Sequence, residues 1–224
     1  MIAWDDLEYW QSKEWRRIEE KLDDCDQRGV ILCPRRELLF ASLDVVDLQT
    51  VKVAIIGQDP YPDVVDATGL AFSIPADIKV LPYTLAVILR EYQHDLHYPI
   101  PHSGDLSVWS QREGVLLWNA IPSKVHGTSM AHYHWTEWQP LTTELIQVLD
   151  HQGTVFLFLG RVAGEFAQYV RSGNSKVIRT AHPASERYGK GKGKHNLFSG
   201  SRPFTTINGL LRDLGKTPVH WRLT

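Results

Sequence analysis

Cysteine is scarce in this 224-residue sequence, and long apolar runs are missing. The two cysteines, Cys25 and Cys33, match no metal-ligand spacing. We therefore expect reduced thiols in an intracellular protein, although the sequence leaves a disulfide between them open. No apolar run approaches the roughly 20 residues of a membrane span, and the acidic start at residues 1–6 does not resemble a secretory signal. We expect a cytoplasmic protein, or a nuclear one if its origin is eukaryotic or viral, with no membrane contact.

An excess of one charge and the common enzyme signatures are missing as well. The 24 basic and 26 acidic residues give a formal net charge of −2, which argues against non-specific coating of DNA but allows a local basic surface. No phosphate-binding GxxxxGK-S/T loop, nucleophile-elbow GxSxG or zinc-binding HExxH occurs. The ten histidines include His132 and His134, but no pair of cysteine ligands accompanies them. We therefore predict neither a metal nor a cofactor.

Four short apolar runs, each followed by a helical pattern, predict an α/β fold. The runs cover residues 51–56, 115–118, 154–159 and 176–181. Right-handed crossovers would place all four carboxyl ends at one edge of the sheet. We predict a single domain over residues 1–224, with a central four-stranded, mainly parallel sheet that is flanked by helices on both faces. Residues 1–29 are expected to form a helical segment that packs on it.

Local signals predict where some helices begin. Thr84 is expected to cap the helix that follows the first strand. Thr136 and Gln139 fit a capping box for the helix that follows the second strand. Residues 97–110 contain two prolines and a glycine and are expected to be loop.

Polar and aromatic side chains follow the predicted strands where the strands end. Asp59 and Tyr61 lie in the turn after the first strand, and Phe72 follows shortly after that turn. Asn119 follows the second strand and His182 the fourth. Each alone has an ordinary structural explanation, because Asp and Asn often hydrogen-bond their own turns. Together, a carboxylate, an amide, an imidazole and two rings suit a flat polar ligand such as a nucleobase.

Uracil fits this set of side chains. The Asn119 amide can accept from uracil N3–H and donate to O4, whereas cytosine presents the opposite pattern, and a mismatched site discriminates by roughly 10⁴. Glycoside cleavage passes through an oxocarbenium-like transition state. An ionised Asp59 would stabilise the sugar cation and orient a water, and His182 would donate a hydrogen bond to the leaving base at O2.

Two motifs carry a resemblance to a known family. Gly57-Gln58-Asp59-Pro60-Tyr61 and Gly69-Leu70-Ala71-Phe72-Ser73 stand at the spacing found in family 1 uracil-DNA glycosylases, and the resemblance extends from about residue 30 to residue 215. It implies a monofunctional, monomeric glycosylase of base-excision repair that flips uracil out of single- or double-stranded DNA and leaves an abasic site. Proteinaceous glycosylase inhibitors are candidate partners. The implied uracil contacts are Gln58 through its backbone, Asp59 at the water and the sugar, Tyr61 against the thymine methyl, Phe72 by stacking, Asn119 at the base edge and His182 at the uracil anion.

The sequence departs from that family at several positions. Pro62 stands where most members have His, and Arg161 follows Gly160 where a Ser usually contacts phosphate. The segment 82–84 replaces a proline-rich loop that ends in Ser. Glu186 occupies the position of the Leu that wedges into the duplex as the base flips. An acidic wedge beside phosphates is unfavourable, so we suggest that Arg187 or Tyr188 fills the gap. A weak wedge would favour single-stranded substrate, where flipping costs less.

A glycine-rich loop with three lysines follows at residues 189–195 and is a candidate for phosphate contact, although such runs are often only solvated loops. The predicted DNA-contacting residues are Pro82, Thr84, Gly160, Arg161, Ser185, Arg187, Tyr188, Lys190 and Lys192.

Three other functions compete with uracil excision. The chain could be a DNA-binding module of the same fold with little activity, acting as a processivity or scaffold factor. It could be a glycosylase for another base, or a structural α/β protein. The intact set of Asp59, Phe72, Asn119 and His182 argues against a pure binder, and Tyr61 together with Asn119 favours uracil.

Overall fold

Short strands and helices alternate along the chain. The computed structural model describes residues 3–128, 136–188 and 197–223. The strands in these ranges are β1 (Leu32–Cys33), β2 (Val53–Gly57), β3 (Val115–Asn119), β4 (Lys124–Val125), β5 (Val155–Leu159) and β6 (Lys176–Thr180). The α-helices are α1 (Lys13–Gln27), α2 (Ala41–Asp44), α3 (Tyr83–Leu96), α4 (Ser107–Glu113), α5 (Trp138–His151), α6 (Arg161–Glu165) and α7 (Pro203–Asp213). The 3-10 helices are Trp4–Asp6, Glu8–Gln11, Arg36–Leu38, Leu48–Thr50, Phe166–Tyr169 and Pro183–Tyr188.

The central sheet contains four parallel strands in the order β3-β2-β5-β6. The last residues of neighbouring strands are in register, since Gly57 pairs with Asn119 and Leu159 with Thr180. The four predicted apolar runs are the four strands of this sheet, each beginning within two residues of the predicted start. The predicted fold class is therefore confirmed, and the carboxyl ends of the four strands lie along one edge.

Alternate residues of the buried strands face two separate hydrophobic layers. Ala54 and Ile56 of β2 belong to the layer that includes α1 and α5. Val53 and Ile55 belong to the layer that includes α3, α4 and α7. Because helices cover both faces, all five residues of β2, β3 and β5 are buried. Burial on both faces explains why these runs are continuously apolar instead of alternating.

A small second sheet lies beside the main one. Strands β1 and β4 pair antiparallel, with Leu32 opposite Val125 and Cys33 opposite Lys124. This sheet was not predicted from the sequence, because a two-residue strand is too short to show a hydrophobic period. This sheet fixes the backbone of Lys124 next to the end of β2.

Three local predictions were wrong. Helix α3 begins at Tyr83 directly after Pro82, so Thr84 lies inside the helix and does not cap it. Pro82 explains the early start, because proline fixes its own backbone and stiffens the approach. Helix α5 begins at Trp138 without a side-chain cap; Gln139 N instead donates to Thr136 O at 3.0 Å in the preceding turn. The segment predicted as loop at 97–110 already enters α4 at Ser107.

The amino-terminal segment contains two 3-10 helices and helix α1. Two 3-10 turns precede α1, whose first turn is capped by the Ser12 side chain accepting from Trp15 N at 3.1 Å. The segment is tied to the rest of the molecule by Trp4, whose indole donates to Val46 O at 2.8 Å, and by Glu144 of α5, which accepts from the Tyr9 backbone at 2.9 Å. None of the described helices is long and apolar enough to cross a bilayer.

Candidate functional site

A pocket of about 470 Å³ lies at the carboxyl edge of the central sheet. The turn after β2, the end of β3 and the segment after β6 form its walls. Every side chain predicted to contact uracil lines it: Gln58, Asp59, Tyr61, Phe72, Asn119 and His182. Thr84, Lys124 and Ala184 line it as well. The structure thus brings together residues that are more than 120 positions apart in the sequence.

Gly57 allows the close packing of the wall formed by β2 and β3. A Cβ atom built at Gly57 would lie 2.8 Å from Asn119 Oδ1 and 2.9 Å from Phe72 Cζ. Phe72 itself adopts the left-handed region with φ of +67°, which is rare for a bulky residue and common where function constrains the backbone. The amide and the ring therefore approach the end of β2 more closely than any residue other than glycine would permit.

Tyr61, in the loop after β2, holds Phe72 in place. Its hydroxyl donates to Phe72 O at 3.0 Å, and burial raises the pKa of Tyr61 well above its usual range. The phenol therefore stays protonated and keeps this hydrogen bond. The strand register continues beyond the sheet, because Ala120 N donates to Gly57 O at 2.9 Å and Ile121 N donates to Gln58 O at 3.0 Å.

His182 has a defined tautomer. Its Nδ1 accepts from Ala184 N at 3.1 Å, and a backbone N–H can only donate, so the proton of the neutral ring is on Nε2. Burial lowers the pKa of His182, and the nearby Asp59 opposes this effect. The site therefore holds a neutral imidazole with an Nε2–H donor. The His182 and Phe72 rings lie 6.1 Å apart, centroid to centroid.

Gly160 admits His182 to the pocket. Its φ is +91°, and a Cβ atom at this position would lie 2.9 Å from the Cβ of His182. Its N–H donates to Thr180 O at 3.0 Å. Gly160 was predicted to contact DNA, and the structure places it against the imidazole at the start of α6.

Asp59 is held by two donors. Lys124 Nζ donates to Asp59 Oδ2 at 2.6 Å, and Gln58 Nε2 donates to Asp59 Oδ1 at 3.1 Å. Sequence reasoning missed Lys124, which is buried with only 4% of its surface exposed. The sequence did offer one signal for Lys124. It is the single charged residue in the run from Leu116 to Val125, which spans the end of the second predicted strand.

The predicted DNA-contacting residues are dispersed around the pocket. Thr84 lines it, and Pro82 precedes α3 beside it. Arg161 has an 83% exposed side chain that pairs with Glu165 at 2.6 Å. Ser185 N donates to His182 O at 2.8 Å, and its buried hydroxyl has no hydrogen-bond partner among the described residues.

Several other predicted residues cannot be placed as contacts. The backbone of Arg187 and Tyr188 belongs to the 3-10 helix Pro183–Tyr188. Lys190 and Lys192 lie outside the described residues, as do His132 and His134. Within the described parts of the chain, no cluster of three or more His, Cys, Asp or Glu side chains could hold a metal ion.

Comparisons with known proteins agree on one family. The family model described as the uracil DNA glycosylase superfamily matches residues 43–211. The uracil-DNA glycosylase of Mycolicibacterium vanbaalenii is 39% identical over 178 residues, which cover 79% of this chain and 75% of that protein. The uracil-DNA glycosylase of Mycobacterium avium is 39% identical over 175 residues, which cover 77% and 74%.

Solved structures give the same result. The crystal structure of mimivirus uracil-DNA glycosylase superposes with a TM-score of 0.83 and 25% identity, covering 95% of this chain and 83% of that one. A mimivirus UNG variant in complex with UGI superposes with a TM-score of 0.84 and 26% identity, covering 96% and 86%.

Proposed function

Because the chain belongs to the uracil-DNA glycosylase superfamily, we propose that it hydrolyses the N-glycosidic bond of deoxyuridine in DNA. The products are free uracil and an abasic site, and the pathway is base-excision repair. One observation supports assigning this function to particular residues. A single pocket holds a carboxylate, an amide, a neutral imidazole donor and a ring for stacking, at Asp59, Asn119, His182 and Phe72.

Base recognition is assigned to the wall formed by β2 and β3. A flipped uracil would stack on Phe72 and present its N3–H and O4 to the Asn119 amide. Asn119 is 5% exposed, so a base with the opposite donor pattern would leave a buried polar group unpaired, which is strongly unfavourable. Tyr61, held by its bond to Phe72 O, would exclude a methyl group at C5.

Leaving-group stabilisation is assigned to His182. Negative charge develops on uracil O2 as the glycosidic bond breaks, and the Nε2–H of the neutral ring would donate to it. The Ala184 N–H fixes Nδ1 as the hydrogen-bond acceptor before substrate binds. The single proton of the neutral ring is therefore on Nε2, where it can be donated in a hydrogen bond to uracil O2. A donor that is already oriented needs no reorganisation during the reaction.

Sugar and water chemistry are assigned to Asp59. Its carboxylate would stabilise the oxocarbenium-like sugar and orient the attacking water. The two donors on its oxygens, Lys124 and Gln58, limit its rotation. The third element of the mechanism is therefore a carboxylate of fixed orientation.

The remaining assignments follow from position. We propose one glycosylase domain over residues 1–224, acting as a monomer on uracil-containing DNA. Thr84 lines the pocket, and Ser185 follows the lining residue Ala184; both would contact phosphates near the flipped nucleotide. Exposed Arg161 would add a charged contact. The other proposed contacts are Pro82, Gly160, Arg187, Tyr188, Lys190 and Lys192.

Proteinaceous inhibitors are proposed partners. The superposed mimivirus variant was solved with UGI bound. Gel filtration of a mixture of this chain and UGI, together with an assay for loss of uracil release, tests whether this chain also binds UGI.

The decisive experiment is uracil release from a single-stranded oligonucleotide, with EDTA present. Wild type should release uracil, and Asp59→Ala should lower the rate by about 10²–10⁴-fold. Asp44→Ala, an exposed carboxylate on α2 outside the pocket, is the matched control and should retain wild-type activity. Binding of the oligonucleotide by wild type without any release would instead favour the processivity-factor alternative.

A further inference from the structure

We propose that Lys124 is a positioning residue for uracil excision, acting through the carboxylate of Asp59. This inference rests on the proposed function and adds a residue to its mechanism. The lysine comes from β4, outside the motifs that suggested the site. Its ammonium contacts the Asp59 carboxylate at the shortest polar distance measured in the pocket, 2.6 Å.

Neighbouring contacts hold Lys124 in place. Its backbone is paired with Cys33 in the small antiparallel sheet. The residue before it, Ser123, accepts a hydrogen bond from Trp138 Nε1 at 3.0 Å in the core. Only 5% of the Lys124 side chain is exposed, compared with 13% for Asp59. A lysine fixed in this way constrains its partner more than a surface lysine would, because a surface side chain changes rotamers freely.

The pair determines which way the carboxylate faces. Lys124 occupies Oδ2 and Gln58 occupies Oδ1, so each oxygen has one fixed donor and keeps lone pairs for another. Charge-assisted hydrogen bonds of this length are the stronger ones in proteins. Because an ammonium would oppose positive charge on the sugar, the benefit of Lys124 must come from orienting Asp59.

If Lys124 orients Asp59, its removal should change the rate constant more than the binding of DNA. Lys124→Met removes the ammonium and keeps much of the side-chain length. We expect the single-turnover rate constant at saturating enzyme to fall by about 10²-fold, because small misplacements of reacting groups have effects of this size. The half-saturating concentration should change less than about threefold, since Asp59 and not the DNA is the partner of Lys124.

A double-mutant cycle separates positioning from other roles. If Lys124 acts through Asp59, Lys124→Met should lower the rate of the Asp59→Asn enzyme by less than about threefold, because the two residues work as a unit. Lys124→Arg, which keeps a charged donor, should be at least tenfold faster than Lys124→Met. Thermal unfolding of each variant shows whether it folds. If Lys124→Met does not fold, Lys124→Gln, which also removes the charge, supplies the cycle in the two Asp59 backgrounds.

Each outcome decides the matter. Multiplicative effects of the two substitutions, a wild-type rate for Lys124→Met, or a raised half-saturating concentration at unchanged rate would overturn the positioning role. An inactive wild-type enzyme would overturn the proposed function itself. An active wild type with an unaffected Lys124→Met variant would overturn the Lys124 inference alone.

Discussion

The two edge strands of the central sheet both deliver a polar group to the pocket, but they hold it by different means. Strand β3 is buried at all five positions and ends in Asn119. Strand β6 is more open, with Val177 40% exposed, and His182 comes two residues after its end. The Asn119 side is therefore part of the core, whereas the His182 side lies at the margin of the fold.

Steric packing fixes the polar group on the side of β3, whereas a hydrogen bond and burial fix the one on the side of β6. On the side of β3, the contacts of Gly57 with Asn119 and Phe72 leave no space for even one additional carbon. On the side of β6, one backbone N–H and burial determine the tautomer and the charge of His182. In the proposed mechanism, base selection would therefore depend on the packing of the sheet, and leaving-group stabilisation would depend on one oriented donor. Substitutions on the two sides should fail in different ways.

Among the substitutions that distinguish the two sides, the largest expected effect comes from removing the His182 donor. His182→Ala should lower the uracil-release rate by about 10²–10³-fold, because one oriented donor on a developing anion contributes that much. The melting temperature should change little, since the side chain packs at the edge of the fold. His151→Ala, at an exposed position in α5, is the control and should be silent. Wild-type release by His182→Ala would remove the imidazole from the mechanism and end the contrast between the two sides.

Two matched glycines sharpen the comparison at a smaller scale. Gly57→Ala should displace Asn119 and Phe72 together and slow release about 10- to 100-fold, and excision of uracil relative to cytosine should become less selective. Gly160→Ala should also slow release, because its Cβ would contact His182 and its φ of +91° is strained for alanine. Its base selectivity should stay unchanged.

Rates on paired uracil and cytosine oligonucleotides measure both quantities for each variant. Equal losses of selectivity in Gly57→Ala and Gly160→Ala would show that the two sides are not independent.

The sequence predicted the fold better than the fine geometry of the site. Continuous apolar runs such as 154–159 are typical of strands buried on both faces, and those runs form the sheet. The ends of parallel strands meet at one edge, so Asp59, Asn119 and His182 were expected together. The Asp59–Lys124 pair involves residues 65 positions apart, and Lys124 lies in a two-residue strand. No local sequence pattern predicts such a contact.

Backbone details were equally hidden. The left-handed conformation of Phe72 and the start of α3 at Tyr83 depend on tertiary packing, which overrides local preference. A capping threonine is a weak signal when a proline just upstream already sets the direction of the chain. Glycines 57 and 160 could be noted in the sequence, but the side chains that they admit could not.

The smallest expected effect concerns pH and tests the claim that burial sets the charge of His182. Burial lowers the pKa of His182 in the folded protein below its ordinary value of 6.5. Below pH 6.5 the unfolded chain therefore binds a proton that the folded protein does not, so this residue favours unfolding as the pH falls. The stabilising effect of the neutral His182 is complete above pH 6.5 and declines as the pH falls from 6.5 to the lowered pKa.

Thermal unfolding of wild type and His182→Asn at pH 7.5 and pH 5.5 measures this effect. Wild type should lose more melting temperature than the variant on acidification, and equal losses would mean that His182 is not held neutral by its surroundings.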